Sequence, residues 1–170
     1  MSISMVQASI EVFVPYLANL SALLDRAGAY AESCRIDPAV LLGMRLAPDM
    51  FNLTRQVCEA NRHVMLGCAL LAGQPAPHVL ETDADIAELK ARIGSAVAFI
   101  QALPQDAIEA SADREVVFTF RNGATRTFTG RSLLLTFTLP QFFFHVTTAY
   151  DILRHAGVDL IKKDFLGQPR

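Results

Sequence analysis

The chain holds 170 residues, 52% of them hydrophobic and 19% charged, which is ample for one domain with a sizeable core and short for two. A formal net charge of −2 and a pI near 6.1 leave no basic surplus to neutralise a phosphate backbone, so nucleic acid is excluded as an expected partner. No run reaches the ~20 uninterrupted apolar residues of a membrane span, and Met1-Ser2-Ile3-Ser4-Met5 has no charged leader region, which together predict a cytoplasmic protein that engages no membrane.

From Ser4 to Ala27, the residues Val6, Ile10, Phe13, Val14, Leu17, Leu20 and Leu24 recur at helical spacing, with Ser4 as N-cap and Gly28 as stop. A further apolar set, Met5, Val12, Tyr16 and Leu23, lies about a quarter-turn away and widens the face beyond one core contact, which points to a partner subunit. Asp37-Pro38 is a cap followed by proline at the first helical position, and helical character runs from there towards Gly73 with a break at Pro48. Beyond the break the inward stripe is Leu53, Val57, Ala60, Val64 and Leu71, with Arg55 and Glu59 placed to pair outside. Asp49 falls one turn before Leu53 on the same stripe.

Gln74-Pro75-Ala76-Pro77 reads as a linker, and Thr82-Asp83-Ala84-Asp85 as a capping box for a helix that turns Ile86, Leu89, Ile93, Val97 and Ile100 inward and ends near Leu103-Pro104. The period then changes. Val116–Phe120 and Thr125–Thr129 are rich in β-branched and aromatic residues, and Asn122-Gly123 between them signals a hairpin with a two-residue turn. A short apolar segment, Leu133 to Phe137, leads into a last helix opened by Pro140 and closed by Gly157, with Phe142, Val146, Ala149, Leu153 and Ala156 on one side. His145 lies at the margin of that stripe beside Ile152, and the tail from Val158 reads as an ordered loop anchored by Leu160, Phe165 and Leu166. Four amphipathic helices with a hairpin inserted before the last predict an all-α four-helix bundle, a single domain over residues 1–170.

A bundle builds its sites from inward side chains on facing helices, which makes His145 on the last helix and Asp49 on the second the candidates. Gln141 is one turn before His145, and Tyr150 is near the other edge of the same face, so His145, Asp49, Gln141 and Tyr150 form the expected ligand pocket. Each also has a structural role open to it: His145 as a hydrogen-bonded histidine at the core edge, Asp49 as cap of a restarted helix beside Arg45. One imidazole, one carboxylate and one amide make a poor zinc set. His63 reads as lying on the polar flank of the second helix beside Glu59, His78 in a Pro-rich loop and His155 in a last helical turn, all structural. Cys34, Cys58 and Cys68 lack C-x-x-C spacing and read as small buried hydrophobes.

Leu139-Pro140-Gln141-Phe142-Phe143-Phe144-His145-Val146-Thr147-Thr148-Ala149-Tyr150-Asp151-Ile152-Leu153-Arg154, together with Met44-Arg45-Leu46-Ala47-Pro48-Asp49-Met50-Phe51 and Lys163-Asp164-Phe165-Leu166-Gly167, resembles domain-of-unknown-function family nineteen-ninety-three, and the likeness spans the chain. That family resembles a branch of the DinB/YfiT-like superfamily. The resemblance implies a four-helix bundle, often dimeric, in which several members bind a divalent metal through three histidines, and some act as thiol-dependent transferases or hydrolases. The implied triad takes one histidine from the second helix and two, one turn apart, from the fourth. Only His145 matches; its neighbours one turn away are Gln141 and Ala149, and the second-helix position falls near Asp49. Three readings follow: a homodimeric bundle with a small-molecule pocket; a metal-dependent enzyme with zinc or nickel on His145 and Asp49, Gln141 assisting; or a non-catalytic dimeric interaction protein.

Overall fold

Helix dominates the computed structural model, which describes residues 3–79 and 84–168. Ser4 caps α1 (Met5–Ala8) in a capping box with Gln7, and after an irregular Ser9 the chain continues as α2 (Ile10–Cys34). Gly28 does not stop this helix. Ala27 and Ala31 are buried on either side of it, and that packing outweighs the roughly 1 kcal/mol penalty of a mid-helix glycine. The helix ends where Arg35 turns left-handed at φ 56°.

The run Met5–Cys34 is long and apolar enough to cross a membrane by length and composition. Its Phe13, Leu17, Leu20 and Leu24 are nonetheless buried among the other helices, as in a core helix. The widened face is also covered within the chain: Met5 and Leu23 are buried, and the Tyr16 ring meets Phe143 at 4.9 Å and Phe165 at 5.5 Å.

Asp37 caps α3 (Pro38–Gly43) as the Asp-Pro pair predicts. Helix then lapses over residues 44–52, a wider gap than the kink expected at Pro48, and restarts as α4 (Leu53–Ala72) under an Asn52 cap that accepts the Arg55 N–H at 2.9 Å. Proline disfavours helical geometry at the residue before it, and the Asn52 cap fixes the new start five residues on. Asp49 therefore sits exposed in a turn and not on the inward stripe. That stripe, Leu53, Val57, Ala60, Val64 and Leu71, is fully buried.

Asp85 and Glu88 form the capping box of α5 (Ile86–Ala102); Thr82 and Asp83 of the expected box lie outside the described residues. A short α6 (Gln105–Glu109) follows, and its Glu109 carboxylate accepts the Met5 and Val6 N–H groups, both at 3.0 Å, at the start of α1. Strands β1 (Glu115–Thr119) and β2 (Thr125–Thr129) pair antiparallel with Val117 opposite Thr127, and Val116, Phe118 and Phe128 fill the inward face. The connection holds three residues, not two: the Phe120 N–H reaches the Ala124 carbonyl at 2.8 Å, and Gly123 takes φ 83°. A left-handed glycine closing a three-residue loop is a common hairpin alternative.

After β2 the chain runs without a break through α7 (Gly130–Leu133), a π-helical turn (Leu134–Thr138) and α8 (Leu139–His155). Pro140 is thus not at a true helix start. The wide turn before it, in which the Leu139 N–H bonds to the Leu134 carbonyl, loosens the ladder where the proline ring would otherwise clash. The tail forms a short α9 (Lys162–Leu166) where a loop was expected. α4 lies at the centre, packing on α8, α5 and α2, while β1 and the π turn also contact it.

Gly67 of α4 lets the π turn approach, since a Cβ there would lie 2.5 Å from Thr138 Cγ2 and 2.7 Å from its Oγ1. Gly67→Ala should lower stability by about 1–3 kcal/mol through overpacking. Adding Thr138→Ala should recover part of that loss in denaturant melts.

Candidate functional site

Gln56, Glu59 and His63 follow one another at three- and four-residue intervals on α4, which stacks them on one face of the helix. That face meets α8, where Gln141 and His145 are also four residues apart, and the hairpin, whose tip carries Arg121. Glu59 is 3% exposed, and His63 and His145 are each 6% exposed. One ligand atom from each of Glu59, His63 and His145 lies within 4.8 Å of the others.

The hydrogen bonds assign the imidazole tautomer. Gln56 Nε2 donates to the Phe51 carbonyl at 3.1 Å, which turns its Oε1 towards His145. His145 Nδ1 must then donate to that oxygen, at 2.7 Å, and Nε2 keeps its lone pair. The His63 ring stacks on the His145 ring at 5.5 Å between centroids and 14° between planes. Burial, helped by the charges of Arg62, His145 and Arg121, pushes the His63 pKa down to about 3. Burial likewise takes His145 down to about 4, against the pull of Glu59 and with the charges of Arg62 and Arg55. Both rings are neutral at neutral pH, so the 3.8 Å approach of His63 Nε2 to Glu59 Oε2 is a polar contact and not an ion pair.

Glu59 is held ionised by its neighbours. Burial raises its pKa, but the hydrogen bond and charge of Arg62, with the charges of Arg121 and Arg55, more than offset this and keep it below the ordinary carboxylate value. Arg55 Nη2 and Arg62 Nε lie 2.9 Å from its oxygens, and Arg121 Nη2 pairs with Oε1. The Arg55–Glu59 pair expected from spacing is present, yet its carboxylate is buried and its guanidinium half-buried, not outside. His63 is equally a correction: the hairpin and α8 cover the flank that the periodicity left polar.

A cavity of about 470 Å³ opens beside these groups, lined by Glu59, His63, His145, Gln141, two arginines and a set of phenylalanines. Of the residues expected at the site, His145 and Gln141 line this cavity. Asp49 is outside it, in a smaller depression of about 200 Å³ that it shares with His145, Gln56 and Phe144. Tyr150 is half-buried and faces Phe165 at 5.8 Å. The sequence reading missed Glu59 and His63, whose one-turn spacing was the available signal. The cysteines stay apart: Cys58 and Cys68 are buried, with burial pushing the Cys68 thiol up to about 12, while Cys34 is exposed, contrary to expectation.

Two neutral imidazoles and one carboxylate form a donor set used by zinc enzymes. The Gln56 bond to His145 is the outer contact that ligating histidines usually make, so these residues fit a divalent cation. Comparison with known proteins supplies the wider setting. The family model described as Domain of unknown function (DUF1993) matches residues 5–166. The crystal structure of a DinB family member protein from Shewanella denitrificans is similar to this chain, with a TM-score of 0.87 and 36% identity, over 96% of this chain and 92% of that one. No curated protein matches.

The imidazoles give the protein a pH dependence. Their folded values of about 3 and about 4 lie below the ordinary 6.5, so the unfolded chain takes up protons that the folded chain refuses. Stability is therefore greatest above about pH 6.5 and falls as pH drops through the window down to about 3. Denaturant melts of EDTA-dialysed protein should lose roughly 2–4 kcal/mol between pH 7.5 and 5. His145→Gln should flatten that slope; an unchanged slope would contradict the assignment.

Proposed function

The chain belongs to the DUF1993 family, and from that premise we propose that it is a DinB-type four-helix bundle holding a divalent metal on Glu59, His63 and His145. The adjoining cavity binds a small molecule, with transferase or hydrolase chemistry of the superfamily type. The observation that carries this reading is the convergence of three buried ligand atoms within 4.8 Å. Glu59 and His63 take the places that Asp49 and Gln141 hold in the ligand set expected from sequence. Zinc or nickel suits two imidazole nitrogens and one oxygen.

When bound, such an ion supplies Lewis-acid polarisation and lowers the pKa of a bound water. The chain's own residues prepare the site. Gln56 holds the His145 ring with its Nε2 lone pair available, and burial keeps both rings unprotonated. The arginines keep Glu59 ionised, and Gln141 presents an amide to the cavity. An ionised carboxylate has about four lone-pair directions, of which three guanidinium bonds leave one.

Those same arginines favour a second reading, in which Glu59 is a structural counter-ion and the cavity takes its ligand without metal. Elemental analysis of protein purified without an affinity tag separates the two. The metal reading expects about one equivalent of zinc or nickel, with His63→Ala and His145→Ala losing it. Gln56→Leu should weaken binding about 10–100-fold, and Asp49→Ala should leave it unchanged. Metal content that survives both histidine changes would hand the site to the second reading.

The proposal keeps residues 1–170 as one domain and a homodimer, supported by Phe51 and Phe144, 49% and 54% exposed near the site. Sedimentation at several concentrations should show a species of about twice the 18.6 kDa of one chain; a lone monomer throughout would remove the dimer.

A further inference from the structure

We infer that the cavity beside Glu59, His63 and His145 takes a small anion carrying a flat apolar body, in the class of aromatic carboxylates and aryl phosphates. The inference rests on the small-molecule part of the reading above and not on the metal. It gives the hairpin a part in selecting the ligand.

Charge is the first support. Arg62 from α4 and Arg121 from the hairpin tip both line the cavity, and Glu59 is the carboxylate among its described lining residues. The described bonds of Arg62 run from Nε to Glu59 at 2.9 Å and from Nη2 to His63 at 3.5 Å. Its Nη1 donors are thus outside those bonds, and a guanidinium edge matches the paired oxygens of a carboxylate or phosphate. An ammonium ligand would meet two like charges in the same partly buried space.

Aromatic packing is the second. Phe118 and Phe120 of the hairpin and Phe137 of the π turn pack edge-on to one another, with centroids 4.6–5.9 Å apart, and line the cavity together. Such a wall offers both ring faces and edges to a planar guest. The volume of about 470 Å³ suits a small organic molecule and greatly exceeds a bare anion. Gln141 and the Asn122 amide add neutral hydrogen-bonding groups at the rim of this apolar space.

The test is calorimetric titration, backed by thermal shift, of the EDTA-dialysed full-length protein with benzoate, phenyl phosphate, acetate, inorganic phosphate, benzyl alcohol and benzylamine. Benzoate or phenyl phosphate should bind at least tenfold more tightly than the alcohol or the amine, and at least tenfold more tightly than acetate or inorganic phosphate. Whichever aromatic anion binds better identifies the acid group, and either result supports the inference. Arg62→Met should weaken the aromatic anions at least tenfold, and Phe120→Ala at least fivefold. If Arg62→Met does not fold, Arg121→Met at the exposed hairpin tip serves instead. Equal binding of benzylamine or benzyl alcohol, undiminished binding in the arginine variants, or no binding by any aromatic anion would overturn the inference. Metal analysis of the same protein before EDTA dialysis keeps the proposals separable: anion binding by protein that carried no metal as purified sinks only the metal reading, and metal without anion binding sinks only this one.

Discussion

A carboxylate that is 3% exposed cannot stay ionised without partners, and the rest of the site is arranged around that constraint at Glu59. Two of its partners, Arg55 and Arg62, come from the same helix and require nothing of the tertiary fold. The third, Arg121, comes from the tip of the hairpin and fastens that tip to the centre of the protein. An isolated two-stranded hairpin is marginal in water. Here Val116, Phe118 and Phe128 fix one face by burial while the Arg121–Glu59 pair fixes the end.

The imidazoles depend on a second chain of contacts that reaches into the loop before α4. The Phe51 carbonyl orients the Gln56 amide, and the Gln56 amide orients His145. Phe51 also sits under the Arg55 guanidinium at 5.2 Å, so the loop touches both the cation cluster and the histidine. Residues 44–52 thereby bear on the chemistry of the site although the triad contains none of them. The gap in helix between α3 and α4 allows this, because a continuous helix would have committed these carbonyls to its own ladder.

Much of the fold was legible because it is written in short-range signals. The Ser4 and Asp37-Pro38 caps, the inward stripe of α4, the hairpin strands and the place of His145 on α8 all follow from spacing and local chemistry. Gly28 misled because a glycine's local preference yielded to the burial of Ala27 and Ala31. Glu59 and His63 were hidden for a related reason. Periodicity assigns a polar residue to the outside, and only the packing of α8 and the hairpin shows that α4 has scarcely any outside. Asp49 attracted attention as a carboxylate in phase with Leu53, a phase that holds only if the helix continues back to it. The family resemblance pointed to a site built between the second and last long helices, but it did not name the residues of α4 that occupy it.

The π-helical turn at Leu134–Thr138 accommodates one residue more than an ordinary turn would. Each residue of an α-helix advances the chain by about 100° around its axis. That surplus residue therefore sets the azimuth of everything upstream, the hairpin included, relative to His145 and Gln141 downstream. Shortening the segment by one position would restore regular winding and swing the hairpin, with Phe118 and Phe120, out of phase with the imidazole while leaving both strands and both helices intact. The aperture of the cavity is in this sense encoded as a register offset in a single turn, with the identity of its walls a separate matter.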